Sequence, residues 1–568
     1  MSKKPKSPYK KKDKYRETYC TTLHRVLEYA ATHYTDRKAT QFVDGGQAYT
    51  YRQFKENVDR LSVRMSRFGI GAGDKVAILS QNMPNYLIAF FSTTAYGRVA
   101  VPILPDSSES EVTNILTHSE TRAIFISKRM LPKLSPACYD KMTLVIDIET
   151  FEFIKKNEDD FRCDGWTKEP QPDDLATIIY TSGTTGNAKG VMLSHRNICH
   201  NLVASFKAQP CHKKDRFLSI LPIAHTYEMG VSSVYSFYCG ACVYYLQKPA
   251  APAVLIPAMK KIRPTIMLAV PLVIEKVVKN SVFPTIRKSR VLSWMDKHMA
   301  WLLHFFVGNK LKKTFGGILR FFGVGGAKMD TAVETFLRDC HFPYAIGYGL
   351  TETAPLVCNL MVNRKKGKIG SIGEASWGVD IRLDNVNPET GEGEIVCRGD
   401  NVMIGYYKDP ARTKTVLDDE GWFHTNDVAC MDKDGYYYIK GRLNNTILGP
   451  SGENIYPEEI EMVINDMQGV NESLIIERNG KLIALVKFDD DVLDWNQQGE
   501  DKFFEKLNAN KQAVLDFVNK HVSKQSKVND VEVMKEPFEK TATQKIRRFK
   551  YKDAHGDDQN ETNTTNNK

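Results

Sequence analysis

The chain has 568 residues, of which 42% are hydrophobic, and a formal net charge of +10 at pH 7. This length suffices for about four domain-sized units with buried cores. An integral membrane protein is not expected, because a spanning helix needs roughly 20 apolar residues and the nearest run, Ala300 to Gly308, is short and interrupted by His304.

Residues 1–20 are interpreted as a basic arm. The first sixteen, MSKKPKSPYKKKDKYR, are rich in lysine but precede no apolar stretch, which excludes a secretory signal. A mitochondrial presequence would be rich in arginine and poor in acids, whereas this arm is lysine-rich and includes Asp13. We therefore expect a cytoplasmic protein. Basic residues here and in 287–313 are not interleaved with stacking aromatics, so nucleic acid binding is not expected.

Two series of strand-like runs predict parallel sheets. In the first, aliphatic runs alternate with helical segments such as Tyr86 to Tyr96, which is the rhythm of βαβ units. Its strands are KVAILS at 75, VAVPIL at 99, AIFIS at 123 and TLVIDI at 143. The second comprises FLSILP at 217, ACVYYL at 241, TIMLAV at 265, LRFFGVGG at 319 and PYAIGYG at 343. Two doubly wound α/β subdomains are predicted.

The loop YTSGTTGNAKG at 180–190 lies between predicted strands at 175–179 and 191–193. A surface turn is one interpretation of such a cluster. Its glycines, hydroxyls and Lys189 also suit a polyphosphate, since backbone N–H groups can approach an anion closely there. It differs from a Walker P-loop, because Lys189 stands between Ala188 and Gly190.

Two further segments have alternative interpretations. Eleven cysteines include one CxxC pair, Cys239 and Cys242, within an aromatic stretch that favours buried thiols over redox or metal chemistry. Residues 287–313 resemble an interfacial membrane helix, and a core-facing amphipathic helix is the alternative. Its apolar positions are Val291, Trp294, Met295, His298, Leu302, Phe305 and Phe306, flanked by Arg287, Lys288, Arg290, Lys310, Lys312 and Lys313.

After residue 370, short alternating strands and the Asp434-Gly435 turn predict a small β-barrel-like subdomain. An α+β series follows, with a helix from Pro457, an Asn479-Gly480 hairpin and a helix near 502–522. The final residues, 553–568, are polar, and we expect them to be disordered. The predicted division is a domain at 21–441, a hinge at 442–446 and a mobile α+β C-terminal domain at 447–552.

Four stretches in order carry a resemblance: the loop at 180–190, FFGVGGAK at 321–328, GYGLTETAP at 347–355, and GWFHTNDVACMDKDGYYYIKGR at 421–442. They resemble the adenylate-forming enzymes, a superfamily that includes acyl-CoA synthetases, peptide-synthetase adenylation domains and luciferases. The match covers roughly residues 45–550. GPSGENIYPEEIE at 449–461 and FEKTATQKIRRFK at 538–550 extend it into the C-terminal domain.

The resemblance implies a role for each matching residue. Thr351, Glu352, Lys189, His225 and Lys545 are implied in catalysis, Gly452 in coenzyme A binding, and Asn445 as the hinge. Glu352 would bind Mg²⁺ beside Thr181, and Asp427 with Arg442 would bind the ribose. The remaining implied ATP contacts are Ser182, Gly183, Thr184, Thr185 and Gly186 at the phosphates, and Gly325, Gly326, Ala327, Tyr348 and Gly349 around the adenine.

Three departures from the family pattern stand out. Asn426 occupies the place of a usual glycine, Asn444 and Asn445 replace a common Lys and Asp at the hinge, and Gln544 replaces a glycine before Lys545. The first could narrow the loop before Asp427. The second puts the electrostatic latch of the hinge in doubt.

LPIAHTYEMG at 221–230 resembles the signature of long-chain fatty acyl-CoA synthetases, in which His225 borders the acyl tunnel. The stretches at 231–246 and 266–277 supply apolar and aromatic walls for such a tunnel. Ordinary core strands and helices have the same composition. The implied reaction forms acyl-AMP from fatty acid and ATP, then acyl-CoA. Two alternatives stay open: an acyl-AMP ligase that loads a carrier protein, and a membrane-docked lipid-binding protein with an inert nucleotide site. Peripheral attachment at the inner face of the membrane also stays open.

Overall fold

The structure is a computed structural model that describes residues 17–157, 168–182, 188–361, 368–448, 454–495, 501–541 and 545–552. The fold divides into two compact units. The first unit takes the described residues of Met1–Thr181, Ala188–Thr425 and Cys430–Ile439. The second unit takes those of Ser182–Asn187, Asn426–Ala429 and Lys440–Lys568.

Strands are numbered in chain order through the described residues. They are β1 Lys38–Phe42, β2 Ala48–Thr50, β3 Lys75–Leu79, β4 Val99–Ile103, β5 Ala123–Ile126, β6 Leu144–Asp147, β7 Phe153–Lys156, β8 Leu175–Ser182, β9 Ala188–Ser194, β10 Arg216–Ser219, β11 Cys242–Tyr245, β12 Ile266–Ala269, β13 Phe321–Gly325, β14 Tyr344–Gly349, β15 Leu356–Met361, β16 Glu374–Ala375, β17 Val379–Asp384, β18 Glu392–Gly399, β19 Gly405–Tyr406, β20 Phe423–Met431, β21 Tyr437–Arg442, β22 Ile447–Leu448, β23 Asn454–Ile455, β24 Val470–Arg478, β25 Lys481–Phe488 and β26 Asp530–Val533.

The α-helices are numbered in the same way. They are α1 Leu23–Tyr34, α2 Tyr51–Arg67, α3 Pro84–Thr94, α4 Glu109–Ser119, α5 Pro136–Lys141, α6 His195–Ala208, α7 Thr226–Glu228, α8 Tyr235–Cys239, α9 Pro252–Ile262, α10 Pro271–Val277, α11 Phe283–Lys288, α12 Arg290–His298, α13 Ala300–Thr314, α14 Thr331–Asp339, α15 Pro410–Val416, α16 Pro457–Asn465, α17 Asp501–His521 and α18 Phe549–Lys552. Short 3₁₀ helices span Leu131–Lys133, Thr351–Thr353 and Leu443–Asn445, and π-helical segments span Met229–Val234 and Val278–Val282.

Both predicted α/β series are confirmed as large sheets. One has eight strands in the order β19-β9-β8-β4-β3-β5-β6-β7, with parallel pairing across β4, β3, β5 and β6. Nearly all side chains of these four strands are buried, because helices cover both faces of a parallel sheet and its strands are aliphatic on both sides. Strands β8 and β9 are neighbours in this sheet, and residues 183–187, which join them, lie outside the described residues.

The second large sheet has nine strands in the order β16-β15-β14-β13-β12-β10-β11-β1-β2. Strands β11, β10, β12, β13 and β14 run parallel. Their carboxyl ends therefore share one edge, which is where open α/β sheets bind ligands. Residues after 370 form the small β subdomain as a four-stranded sheet, β17-β18-β20-β21.

In the second unit, the hairpin predicted at Asn479-Gly480 joins β24 to β25, and its register places Arg478 opposite Lys481. Both turn residues have positive φ, 54° and 72°, as a type I′ turn requires. The helices predicted from Pro457 and near 502–522 are α16 and α17.

Residues 287–313 differ from the single helix that their spacing predicts. The chain forms α11, α12 and α13, with breaks at Ser289 and Met299. The Ser289 side chain accepts a hydrogen bond from the Leu292 N–H and so caps a new helix start. In the described part of the chain, no helix is long and apolar enough to cross a bilayer. Cys239 and Cys242 are buried free thiols, as expected.

Candidate active site

The carboxyl edge of the nine-stranded sheet presents backbone at two adjacent strands. At the end of β13, Gly326 has a φ of +87°, and it lies exposed with Ala327. Gly325 is buried and has no room for a side chain without adjustment, because a Cβ there would lie 3.1 Å from the Gly347 carbonyl oxygen. Tyr348 is half-buried near the end of β14. A planar ring could therefore lie against the exposed backbone at this edge of the sheet.

A tight turn after β14 places Thr351 and Glu352. Gly349 admits no Cβ, since one would lie 1.7 Å from the Pro355 carbonyl oxygen. The Thr353 hydroxyl donates to that same carbonyl at 2.5 Å, and the Leu350 N–H donates to it at 3.1 Å. These bonds close the 3₁₀ turn, in which Thr351 and Glu352 are both buried. The turn therefore requires glycine at position 349.

Glu352 lies at the centre of a three-residue cluster with Lys189 and Tyr406. The Lys189 ammonium donates to Glu352 Oε1 at 2.8 Å, and the Tyr406 hydroxyl donates to the same oxygen at 2.9 Å. Lys189 Nζ also lies 2.9 Å from the Tyr406 hydroxyl oxygen. An ammonium group and a phenol hydroxyl therefore both donate to one carboxylate oxygen.

Strand pairing brings Tyr406 to this cluster. Strand β19 adds to the edge of β9, so that Tyr406 pairs with Val191 and Gly405 pairs with Met192. The Met403 N–H donates to the Glu352 carbonyl at 2.8 Å. Sequence reasoning missed Tyr406, because a two-residue strand has too few residues for a periodic signal.

The positive charge of Lys189 is paired with the negative charge of Glu352 in this cluster. Burial raises the pKa of the Glu352 carboxyl, but the Lys189 charge and the hydrogen bonds from Lys189 and Tyr406 outweigh burial, and the pKa lies below its usual value. Burial, followed by the Glu352 charge, raises the pKa of Tyr406. Glu352 is consequently ionised and Tyr406 is a hydrogen-bond donor at neutral pH.

Thr181, near the end of β8, has a buried hydroxyl. Its hydroxyl oxygen is buried and has no hydrogen-bond partner among the described residues. Such an atom needs a partner, and Mg²⁺ prefers hard oxygen ligands such as hydroxyls and carboxylates. Thr181 and ionised Glu352 are therefore chemically suited to Mg²⁺. Gly183, Thr184, Thr185 and Gly186 lie outside the described residues, as does the Ser182 side chain.

His225 ends the loop after β10 and caps α7. The Tyr227 N–H donates to His225 Nδ1 at 3.2 Å. Because Nδ1 accepts this bond, the neutral ring carries its proton on Nε2. His225 is thus fixed as an Nε2–H donor, a group suited to an anionic or carbonyl oxygen.

Glu228, three residues later, is a buried acid that the sequence did not single out. It is 1% exposed, and neither carboxyl oxygen makes a hydrogen bond within 3.5 Å to a described residue. Burial raises the pKa of Glu228 to about 7. The last residue of α7 is therefore a buried carboxyl that is partly protonated at neutral pH.

An apolar pocket lies in the first unit beside Tyr227. Val231 and Tyr235 come from one predicted wall, and Ile266 and Leu268 from the other. The sequence did not identify the strand residues that complete it. The remaining lining residues are Ser205, Ala208, Gln209, Phe217, Phe321, Gly323, Ala345, Ile346, Gly347, Leu356 and Asn359.

In the second unit, Arg442 Nε lies 3.0 Å from the Asp427 carboxylate, which is buried. Asn426 has a φ of +59°. This left-handed conformation is one that glycine adopts freely and that asparagine tolerates better than most residues. The geometry explains both the usual glycine at this place and its replacement by asparagine.

The other predicted residues of the second unit lie in three places. Asn445 is in the 3₁₀ turn Leu443–Asn445, and its amide donates to Glu458 Oε1 at 2.5 Å. This bond ties Asn445 to α16 within the second unit. Lys545 is exposed, and its backbone carbonyl accepts from the Thr541 N–H at 2.8 Å. Gly452 and Gln544 lie outside the described residues.

Comparisons with known proteins agree with this arrangement. The model of the AMP-binding enzyme family matches residues 27–407. The peroxisomal long chain acyl-CoA synthetase 6 of Arabidopsis thaliana is 28% identical, covering 86% of this chain and 76% of its own length. A feruloyl-CoA synthase of Amycolatopsis sp is 30% identical, covering 77% and 82%. The fold matches o-succinylbenzoate CoA synthetase (MenE) from Bacillus subtilis in complex with OSB-AMP, with a TM-score of 0.75 at 22% identity over 93% of this chain and 98% of that one.

Replacing Tyr406 by Phe should weaken ATP binding in the presence of Mg²⁺ by about 10- to 100-fold, the usual effect of losing a group that orients a metal ligand. The ring remains, so folding should be unchanged. Isothermal titration of ATP with and without Mg²⁺ measures the effect. Tyr407→Phe is the matched control, since the Tyr407 hydroxyl bonds Glu120. Equal affinities for the two variants would contradict a positioning role for Tyr406.

Glu228 should make thermal stability depend on pH. Its pKa of about 7 in the folded chain exceeds the ordinary 4.5, so the folded state retains a proton that the unfolded state has lost, and stability falls as pH rises between these values. The full effect approaches about 3 kcal/mol. Glu228→Gln removes this pH dependence, so the melting temperature of the variant, relative to that of the wild type, should rise from pH 5 to pH 8.

The exposed Glu56 supplies the control for this experiment, since Glu56→Gln replaces a solvated acid of the same unit. Its melting temperature should follow that of the wild type throughout. A constant difference between Glu228→Gln and wild type across the pH range would show that Glu228 is ionised in the folded protein.

Proposed function

Because the chain belongs to the AMP-binding enzyme family, we propose that it activates a long-chain fatty acid with ATP and Mg²⁺. The family supports adenylate-forming acyl-CoA ligase activity. The finer assignment to fatty acids is supported chiefly by the apolar pocket beside Tyr227. In the proposed reaction the fatty acid and ATP give acyl-AMP and pyrophosphate, and coenzyme A then gives acyl-CoA and AMP.

The first half-reaction requires stabilisation of negative charge. A carboxylate oxygen attacks the α-phosphorus of ATP, and the bond to pyrophosphate breaks. Lys189 supplies a positive charge for the polyphosphate, and Thr351 supplies a hydroxyl beside Glu352. When bound, Mg²⁺ would neutralise phosphate charge, with Thr181 and Glu352 as its protein ligands. Tyr406 keeps Glu352 oriented when Lys189 turns toward the phosphates.

The pocket favours a hydrocarbon substrate. Its lining is dominated by aliphatic and aromatic side chains from β10, β12, β13 and β14. Each methylene transferred from water to such surroundings contributes about 0.8 kcal/mol, so a long chain gains far more than a short one. His225, fixed as a donor, adjoins the helix that bears Tyr227.

A product analysis tests the proposal. The protein is incubated with ATP, Mg²⁺ and palmitate, with and without coenzyme A, and products are identified by mass spectrometry. Palmitoyl-AMP without coenzyme A and palmitoyl-CoA with it are expected. In parallel incubations, ferulate replaces palmitate, and a holo acyl carrier protein replaces coenzyme A. Preference for ferulate would overturn the fatty acid assignment, and transfer only to the carrier protein would replace the coenzyme A step.

Gly347→Ala should shift the chain-length preference toward shorter acids. Gly347 lines the pocket, and a Cβ there would make ordinary contact, 3.7 Å from Leu356 Cδ1. The lost space should lower the ratio of kcat/KM for palmitate to that for octanoate by at least about 4-fold, the equivalent of one methylene. Gly71→Ala, which has equally open surroundings away from the pocket, is the control. An unchanged ratio would place the acyl chain elsewhere.

Lys545→Ala should affect the first half-reaction alone. Its implied role is to bridge the acid and the α-phosphate while charge builds there, and losing such contacts costs on the order of 10³- to 10⁵-fold in rate. Adenylation should nearly vanish, whereas synthetic acyl-AMP and coenzyme A should give thioester at close to the normal rate. The exposed Lys535 provides a control in Lys535→Ala. Equal losses in both half-reactions would assign Lys545 a general structural role.

A further inference from the structure

Helices α12 and α13 expose large apolar side chains to solvent. These helices connect β12 to β13 in the first unit, and they contact each other. Isolated exposed apolar residues are ordinary, but several large ones on adjacent helices indicate an interaction site. The exposed fractions are 67% for Val291, 54% for Trp294, 71% for Trp301, 59% for Phe305 and 57% for Phe306.

The opposite faces of both helices are packed, so the exposure belongs to a folded surface. Leu303 and Leu311 of α13 are buried in a hydrophobic core cluster. Leu292 and Met295 of α12 pack against the same cluster. The outward side chains therefore remain in water although the helices are anchored.

Positive charge accompanies the apolar residues. Residues 287–313 contain seven basic side chains and one acid, Asp296. None of the seven forms an ion pair with a residue that the structure describes. The basic residues are Arg287, Lys288, Arg290, Lys297, Lys310, Lys312 and Lys313.

Helical geometry places apolar and basic groups together. At about 100° per residue, Trp301 and Phe305 lie on one side of α13, and Lys312 follows on that side about two turns after Phe305. Phe306 and Lys313 likewise project from the same side of α13. On α12, Val291 and Trp294 share a face, and Asp296 points away from it. The aromatic face of α13 is thus continuous with lysines at its carboxyl end.

We infer that the surface formed by residues 287–313, from the end of α11 through α12 and α13, docks on an anionic lipid bilayer. Aromatic and aliphatic side chains with flanking lysines are the composition of helices that lie in the membrane interface. Anionic headgroups complement the unpaired cluster of basic residues. A second copy of the chain is a poorer partner, because a symmetric dimer would set this positive surface against itself.

The position of the surface relates it to the pocket. The helices join β12 to β13, and Leu268 and Phe321 of those strands line the pocket. The docking inference is independent of the substrate, since it uses only exposure and charge. If the substrate is a fatty acid, docking would bring the first unit to a bilayer that holds it.

Vesicle binding, measured without ATP or fatty acid, tests the inference independently of the proposed function. The full chain should sediment with vesicles that contain phosphatidylglycerol and much less with pure phosphatidylcholine vesicles. Raising the salt concentration from about 0.01 M to 0.15 M shortens the Debye length from about 30 Å to about 8 Å and should weaken binding. Binding to neither vesicle at low salt, or equal binding to both, would overturn it.

Two variants separate the apolar and charged contributions. A triple variant, Trp301→Ala with Phe305→Ala and Phe306→Ala, should lose vesicle binding by at least about 10-fold. Another, Arg287→Gln with Lys310→Gln and Lys313→Gln, should lose on the order of 100-fold on anionic vesicles. The control, Phe504→Ala with Lys502→Gln and Lys506→Gln, changes an exposed aromatic and two exposed lysines on α17.

Trp fluorescence distinguishes docking from misfolding. Trp294 and Trp301 are exposed, so their emission should shift to shorter wavelength on anionic vesicles, and Trp294→Phe with Trp301→Phe should abolish that shift without loss of sedimentation by more than a few fold. Variants equal to the control in vesicle binding would contradict the inference. A dimer of the wild type that the aromatic variant loses would assign the surface to a second copy.

Discussion

The buried negative charge of Glu352 is the constraint around which the candidate active site is arranged. An unpaired carboxylate in the interior is costly, by several kcal/mol even after relaxation, so the charge persists only because Lys189 and Tyr406 donate to it. These partners come from separate parts of the chain, with Lys189 163 residues before Glu352 and 217 residues before Tyr406. The turn after β14, the edge of β9 and the short β19 must all be in place for the carboxylate to be stable.

The same sheet supports both the polar and the apolar sites. Strands β13 and β14 end in the exposed backbone at Gly326 and the tight turn at Gly349, and their interior residues line the pocket. Glycine is needed at 349 for close approach and at 325 for packing, whereas a Cβ at Gly347 would make only ordinary van der Waals contacts. A polar head and a hydrocarbon chain of one substrate can therefore be received by adjoining parts of two strands.

Much of this arrangement could be predicted from the sequence, since local signals were strong. The buried parallel strands are continuous aliphatic runs, and the Asn479-Gly480 turn is coded by residues that accept positive φ. Other features depend on long-range packing. Tyr406 reaches Glu352 through a two-residue strand, and the raised pKa of Glu228 comes from burial, which residue type does not show. The breaks at Ser289 and Met299 interrupt a periodic pattern that alone predicts one helix.

The central claim is that the site around Lys189, Glu352 and Thr351 makes an acyl-adenylate. Exchange of labelled pyrophosphate into ATP, measured without coenzyme A, tests it most directly, because exchange requires reversible formation of that intermediate. We expect exchange that needs both a fatty acid and Mg²⁺, and that Glu352→Gln nearly abolishes while the fold is kept. Thioester formation by a wild-type protein that shows no such exchange would contradict the account.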